Sequence, residues 1–141
     1  MPIDPDSIRS WSGLAFERVC LQHIHQLKQA MGIAAVATKE YAWRSDPKKK
    51  RSKEEEGAQI DLLIERGDGV INICEMKWSS GEFTITKEDS LSLENKVEVF
   101  QYQTDTKSAV MLTMVTAFGV KHNMYYDTIQ SEVTIDQLFV G

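Results

Sequence analysis

The chain of 141 residues is long enough for one domain with its own core, without disulfides or metal ions to hold it together. Its 42% hydrophobic and 26% charged residues are typical of globular domains. A formal net charge of -5 argues against a protein that coats nucleic acid, because phosphate affinity comes mainly from clustered Lys and Arg.

Membrane and secretion signals are missing from the sequence. No stretch is apolar for long enough to cross a membrane, and MPIDPDSIRS at the start lacks the basic beginning and apolar centre of a secretion signal. Cys20 and Cys74 are far apart and each lies in an apolar pattern, which predicts buried free thiols rather than a disulfide or a zinc site. We expect a cytoplasmic protein with no membrane contact.

The first predicted element is an amphipathic helix, with Ser12 as its N-cap, that ends near Met31 before Gly32. A strand is predicted over 33–44. From Arg44 to Glu56, six positive and four negative residues leave a net charge of +2, which predicts a solvated, flexible Lys/Glu loop near 45–56. Phosphate contact by this loop is the less favoured alternative.

A hairpin follows, with strands over 58–65 and 70–78 around the turn RGDG. We then expect a short strand FTIT at 83–86, a helix over about 87–103 and a central buried strand in SAVMLTMVTAF at 108–118. The tail SEVTIDQLF predicts a last strand or helical turn. The order of elements indicates one α/β domain over residues 1–141, with a mixed sheet of about four strands flanked by helices.

Three charged residues interrupt the apolar runs of this hairpin. Glu75 and Lys77 share one strand face while Cys74 and Met76 face the other way, and Asp61 lies opposite Glu75 if the strands pair in that register. Isolated buried charge is costly unless it is paired or holds a metal. Two carboxylates suit Mg²⁺ or Mn²⁺, which would polarise a phosphodiester and activate water, while the ammonium orients that water or stabilises developing charge.

Two more groups are candidate metal ligands. The backbone carbonyl of Met76 lies between the two charged residues of the second strand, and Glu17 on the first helix reaches the same ion if that helix crosses the sheet. Gln59 is predicted either to contact the attacking water or to make an ordinary sheet hydrogen bond.

The stretches QIDLLI and INICEMKWS resemble the core motif of the PD-(D/E)XK nuclease superfamily. Asp61 and Glu75 match its acidic positions, Lys77 its lysine, and Glu17 the acid that many members carry on the first helix. The resemblance implies a restriction-endonuclease-like α/β core with a four-stranded mixed sheet, and Mg²⁺-dependent hydrolysis of phosphodiesters. Ile60 stands where the proline of the family name would be.

A closer resemblance covers nearly the whole chain and is carried by four segments: WSGLAFERVCLQHI, EEEGAQIDLLIERGDGVINICEMKWS, AVMLTMVTAFGVKHN and IQSEVTIDQLF. These are similar to the C-terminal nuclease-like domain of bacterial AAA-type ATP-binding proteins. The resemblance implies an ATPase module as a partner. The chain has no Gly-rich phosphate loop ending in Lys-Ser or Lys-Thr, so it is not itself the ATPase.

Three functions remain open at this stage. The first is a metal-dependent nuclease domain acting on DNA, with a homodimer if both strands are cut. The second is an inactive nuclease-fold module that docks nucleic acid or a protein partner, which the net acidity favours. The third is a structural protein that contains a buried ion-pair network.

Overall fold

The computed structural model describes residues 5–139, and the side chains of residues 12–138. Three α-helices and five β-strands lie within this range. The helices are α1 (Pro5–Gln22), α2 (Ile24–Ala30) and α3 (Lys87–Thr104). The strands are β1 (Thr38–Arg44), β2 (Gln59–Arg66), β3 (Val70–Lys77), β4 (Ala109–Thr116) and β5 (Ser131–Thr134).

The five strands form one mixed sheet in the order β1-β2-β3-β4-β5. The first three strands are antiparallel neighbours, whereas β4 is parallel to β3 and β5 is parallel to β4. The predicted α/β class and mixed sheet are confirmed, and the count of about four strands is wrong. The fifth strand arises because Ser131–Thr134 pairs with β4, and a 3₁₀ turn over Ile135–Phe139 then follows it.

The first helix differs from its prediction at both ends. It begins at Pro5 rather than Ser12, in agreement with the preference of proline for the first turn. It is also divided at His23, whose φ of -123° and ψ of 37° are not helical. The His23 ring donates to the Val19 carbonyl at 2.7 Å, while the His23 amide donates to Cys20 instead. The side chain thus competes with the backbone for the helical hydrogen bond.

Two predicted strands are shorter than expected. Residues 33–37 precede β1 as a turn, in which the Ile33 amide donates to Lys28 at 2.9 Å and the Val36 amide donates to Ile33 at 3.0 Å. The segment FTIT forms a single bridge, between Phe83 and Val120, because its last residue already caps α3.

Apolar side chains fill both faces of the sheet. One cluster joins α1 and α2 to the sheet through Phe16, Cys20, Leu27, Leu62, Ile64, Cys74 and Met76. The other joins α3 to the opposite face through Ile60, Leu63, Ile71, Ile73, Leu93, Phe100 and Met114. The helices therefore flank the sheet on both sides, which confirms the layered arrangement expected from the order of elements.

Most residues of the Lys/Glu loop are exposed, in agreement with the predicted solvated segment, and its flexibility stays a prediction. The segment from Ser45 to Ala58 also contacts α3. Its two ends are joined because the Ser45 amide donates to the Ala58 carbonyl at 2.8 Å. Within the described residues, no helix is both long and apolar enough to span a membrane.

Candidate functional site

A β-bulge places Asp61 at the edge of the paired part of the hairpin. Tyr41 pairs with Leu63 and Trp43 pairs with Ile60, so β2 contains one residue more than β1 between these two pairs. Asp61 and Leu62 therefore lie opposite a single residue of β1. Bulges bend a strand and redirect its side chains, and they are frequent beside active sites.

The bulge changes which face Ile60 occupies. Strict alternation predicts that Ile60 shares a face with Leu62 and Ile64, but Ile60 packs with Leu63 on the α3 side. That prediction is wrong because the extra residue resets the alternation. Asp61 lies in the bulge, where the alternation of faces is interrupted, and its side chain is exposed.

The end of β3 carries Glu75, Met76 and Lys77. Pairing between β2 and β3 ends at Leu62 and Cys74, whereas pairing between β3 and β4 continues to Lys77. Asp61 and Glu75 are thus the next residues after the last pair of the ladder, at the point where the two strands part. Glu75 is 7% exposed and Lys77 is half-buried. The Met76 side chain lies in the core on the α1 side, on the face opposite Glu75 as predicted, and its carbonyl stays a predicted ligand.

Glu17 on α1 lies within electrostatic reach of the same residues. Burial raises the pKa of the Glu17 carboxyl above its ordinary value, and the negative charge of Asp61 is the second cause. Glu75 raises this pKa further, while Lys77 and Lys96 act in the opposite direction. Asp61, Glu75, Lys77 and Lys96 all therefore lie close enough to Glu17 to influence its pKa.

Lys96 on α3 is a site residue that the sequence reading missed. Its Nζ lies 2.5 Å from Glu75 Oε1, and its side chain is only 22% exposed. Lys96 lies three residues after Leu93 and four before Phe100, two residues of the α3 core. A lysine in the apolar stripe of a helix is the same kind of signal as a carboxylate in a buried strand. This interruption of the helical pattern could have revealed it.

Gln59 connects Asp61 to the edge of the sheet. Its Nε2 donates to Asp61 Oδ1 at 3.3 Å, and its Oε1 accepts from Arg44 Nη2 at 3.3 Å. The side chain therefore makes two polar contacts outside the backbone ladder. Contact of Gln59 with the attacking water stays a prediction, and the structure shows in addition that its side chain is bonded to Asp61.

The donor set has the right chemistry for a hard divalent cation, but its arrangement is incomplete. Carboxylate oxygens from Glu17, Asp61 and Glu75 are the ligand type that Mg²⁺ and Mn²⁺ prefer. Among the residues that the structure describes, however, no three His, Cys, Asp or Glu side chains are positioned to hold a metal ion as they stand. The Lys96 ammonium is the cation that Glu75 contacts here.

No family model, curated protein or solved structure matches the chain. The functional assignment therefore depends on one group of charged residues. We call this group the carboxylate cluster; it consists of Glu17, Asp61, Glu75, Lys77 and Lys96.

Proposed function

We propose that the chain is a metal-dependent nuclease domain that hydrolyses phosphodiester bonds in DNA. One observation carries the proposal: charged groups from four elements, α1, β2, β3 and α3, lie around the point where β2 and β3 part. Charged groups are expensive to place among apolar runs, so their convergence indicates a use beyond folding. The mixed sheet with helices on both faces is compatible with the restriction-endonuclease-like core that the PD-(D/E)XK resemblance implies.

Each residue of the carboxylate cluster has a proposed role. Asp61 and Glu75 bind the cation, and Glu17 and the carbonyl of Met76 are auxiliary ligands. A bound Mg²⁺ or Mn²⁺ supplies charge stabilisation at the phosphate and lowers the pKa of a water molecule. Lys77 orients that water or stabilises the negative charge that develops in the transition state.

A bound cation would share the Glu75 carboxylate with Lys96 or displace the ammonium, because their ion pair occupies one of the two Glu75 oxygens. Displacement would leave the Lys96 ammonium free to contact a substrate phosphate. The raised pKa of Glu17 supports the same role, since a divalent cation would relieve the repulsion that Asp61 and Glu75 exert on it.

A cleavage assay with Mg²⁺ or Mn²⁺ on duplex and single-stranded DNA tests the proposal. Asp61→Asn and Lys77→Met should each lower the cleavage rate by at least about 100-fold, as expected when a group that stabilises the transition state is removed. The matched controls are Asp68→Asn in the β2–β3 turn and Lys107→Met just before β4, which should keep the rate. Equal cleavage by wild type and both site variants would contradict the roles proposed for Asp61 and Lys77.

A second candidate function is a module that docks DNA or a protein, such as an AAA-type ATPase module, without cutting. The ion pair between Glu75 and Lys96 favours it, because a cluster already balanced by lysine does not need a metal. Calorimetric titration of Mn²⁺ into wild type and Asp61→Asn separates the two. Uptake that disappears in the variant supports the nuclease, whereas DNA binding without Mn²⁺ uptake by wild type supports the docking module.

A homodimer is proposed only for cleavage of both strands.

A further inference from the structure

The Lys/Glu loop, residues 45–58, is fastened to α3 at several points. The Asp46 amide donates to Gln103 Oε1 at 2.8 Å, and Gln103 Nε2 donates back to the Asp46 carbonyl at 3.2 Å. Nearer the other end of the loop, Asn95 Nδ2 donates to the Glu56 carbonyl at 3.2 Å. With its ends joined at Ser45 and Ala58, the segment has the form of an Ω-loop, a compact and often functional type of loop.

Arg51 holds the middle of the loop against the same helix. Its guanidinium lies 3.6 Å from Glu98 and stacks over the Tyr102 ring, 5.6 Å from the ring centroid. It also pairs with Glu55 inside the loop. Arg51 is therefore engaged in holding the loop, and the remaining positive charge comes from its lysines.

Four lysines of the loop are exposed, and four acids lie in the same loop. Within the described residues, none of these lysines forms an ion pair or donates a side-chain hydrogen bond. These residues are Lys48, Lys49, Lys50 and Lys53, and all four are exposed. Two of the nearby acids are engaged: Asp46 Oδ1 accepts from the Lys48 amide, and Glu55 pairs with Arg51.

Contacts of the loop and of its flanking residues lead toward the carboxylate cluster at two points. Its first flanking residue, Arg44, and its last, Gln59, contact each other, and Gln59 donates to Asp61. Asn95, which holds the loop on α3, directly precedes Lys96. In a chain with a net charge of -5, the loop that carries these four lysines is thus linked to Asp61 through Gln59 and held on the helix that carries Lys96.

We propose that the Lys/Glu loop is a preformed phosphate-binding arm that holds the sugar-phosphate backbone of duplex DNA beside the carboxylate cluster. The inference deepens the proposed function and rests on it. Polyanion binding by lysine releases condensed counterions, so it gives affinity without sequence preference and is strongly dependent on salt. Fastening the loop to α3 reduces the entropy lost when DNA binds.

The test measures anisotropy of a short fluorescein-labelled DNA duplex at several salt concentrations, with EDTA present so that DNA is not cut. Lys49→Gln combined with Lys50→Gln should weaken binding about tenfold at low salt and reduce the salt slope by roughly 1.8, since each phosphate contact contributes about 0.9. The control combines Lys39→Gln with Lys107→Gln, which removes the same charge at the opposite end of the sheet and should leave both quantities unchanged.

Gln103→Ala tests the fastening separately, because it removes two hydrogen bonds of the loop without changing any charge. We expect binding a few-fold weaker with an unchanged salt slope. Equal binding by the loop and control variants, or no binding by wild type at low salt, overturns the inference. Loop-dependent binding without cleavage would leave the arm standing and reject the nuclease. Cleavage with binding that does not depend on the loop would reject the arm alone.

Discussion

At the scale of single residues, two carboxylates of the carboxylate cluster occupy positions that are unfavourable for an ionised group in the folded protein. Glu75 is almost fully buried and relies on Lys96 for a counter-charge. Glu17 lies near two other carboxylates, which makes its ionised form less favourable than it would be in water. Sites that trade stability for function often carry such perturbed groups, so the energetic cost itself is testable.

Replacement of Glu17 by glutamine should stabilise the protein at neutral pH. The pKa of Glu17 is raised on folding, so its ionised form opposes folding above its ordinary pKa, and this penalty grows as pH rises from there through the folded pKa. Thermal melting should show a gain of about 1 to 2 °C at pH 7, kept small by solvent screening, that disappears below the ordinary pKa of glutamate.

The control for this prediction is Glu94→Gln on the exposed face of α3. Its melting temperature should match that of wild type at both pH values. A Glu17→Gln protein that is less stable than wild type at pH 7 would show that the ionised carboxylate contributes to the fold.

Replacement of Lys96 by methionine should destabilise the protein. The change leaves Glu75 buried without its counter-charge, and removal of one partner of a fully buried ion pair costs ~3 to 5 kcal/mol. We expect urea denaturation to show a free energy of unfolding lower by about 2 kcal/mol, because Lys96 keeps some access to water. Lys87→Met, an exposed change at the start of α3, should cost nothing measurable.

The Lys96→Met protein also reports on metal binding without an activity assay. If Glu75 takes part in a cation site, added Mn²⁺ should restore more of the lost stability in this variant than it adds to wild type. Identical responses to Mn²⁺ in the two proteins would argue that Glu75 is not a ligand.

At the scale of elements, α3 has to be held firmly because it carries both Lys96 and the contacts of the Lys/Glu loop. Its start is fixed by a capping box: the Asp89 amide donates to Thr86 Oγ1 at 3.1 Å, and the Thr86 amide donates to Asp89 Oδ2 at 3.0 Å. Its end is closed by Asp105 in the left-handed region, with φ 48°. Both ends are therefore defined by specific local contacts.

Thr86→Ala should lower the free energy of unfolding by about 1 kcal/mol, because it removes the side-chain acceptor of the cap. Urea denaturation of the variant measures this loss. Ser92→Ala, on the exposed surface of α3, should be neutral or slightly stabilising, since alanine favours a helix. A Thr86→Ala protein as stable as wild type would mean that the cap does not limit the stability of α3.

At the scale of the whole molecule, both thiols lie in the core on the α1 side of the sheet. Cys20 belongs to α1 and Cys74 to the central part of β3. Burial raises the pKa of each thiol to about 12, so neither forms an appreciable amount of thiolate at pH 8. The predicted buried free thiols are confirmed.

Reaction with a disulfide reagent at pH 8 should therefore require opening of the fold. In Cys20→Ala, Cys74 should react only through global unfolding, with a free energy of opening equal to that measured by urea. In Cys74→Ala, Cys20 should react at the same rate or faster, because α1 contributes only one face of the core. Rapid modification of Cys74 in native buffer would contradict this packing.

Local patterns in the sequence predicted the elements that depend on neighbouring residues. The β2–β3 hairpin follows from two apolar runs around RGDG, and α3 was placed within one residue at its end. The alternation along β3 also predicted that Cys74 and Met76 face away from Glu75, and the structure packs both in the core on the α1 side. These features are short-range, because strand alternation and helix periodicity are properties of the backbone itself.

Contacts between distant segments were decided only by the tertiary structure. The bulge at Asp61 appears when β2 pairs with β1, the fifth strand when the tail reaches β4, and the ion pair of Lys96 when α3 covers β3. Composition predicted that the Lys/Glu loop is solvated, and only the tertiary structure shows that residues 95–103 of α3 also bind it. The sequence by itself determined which charged residues interrupt apolar elements. Tertiary packing decided that Lys96 contacts Glu75 and that Glu17 lies within electrostatic reach of the other four residues of the carboxylate cluster, because a site built from four elements has no local signature.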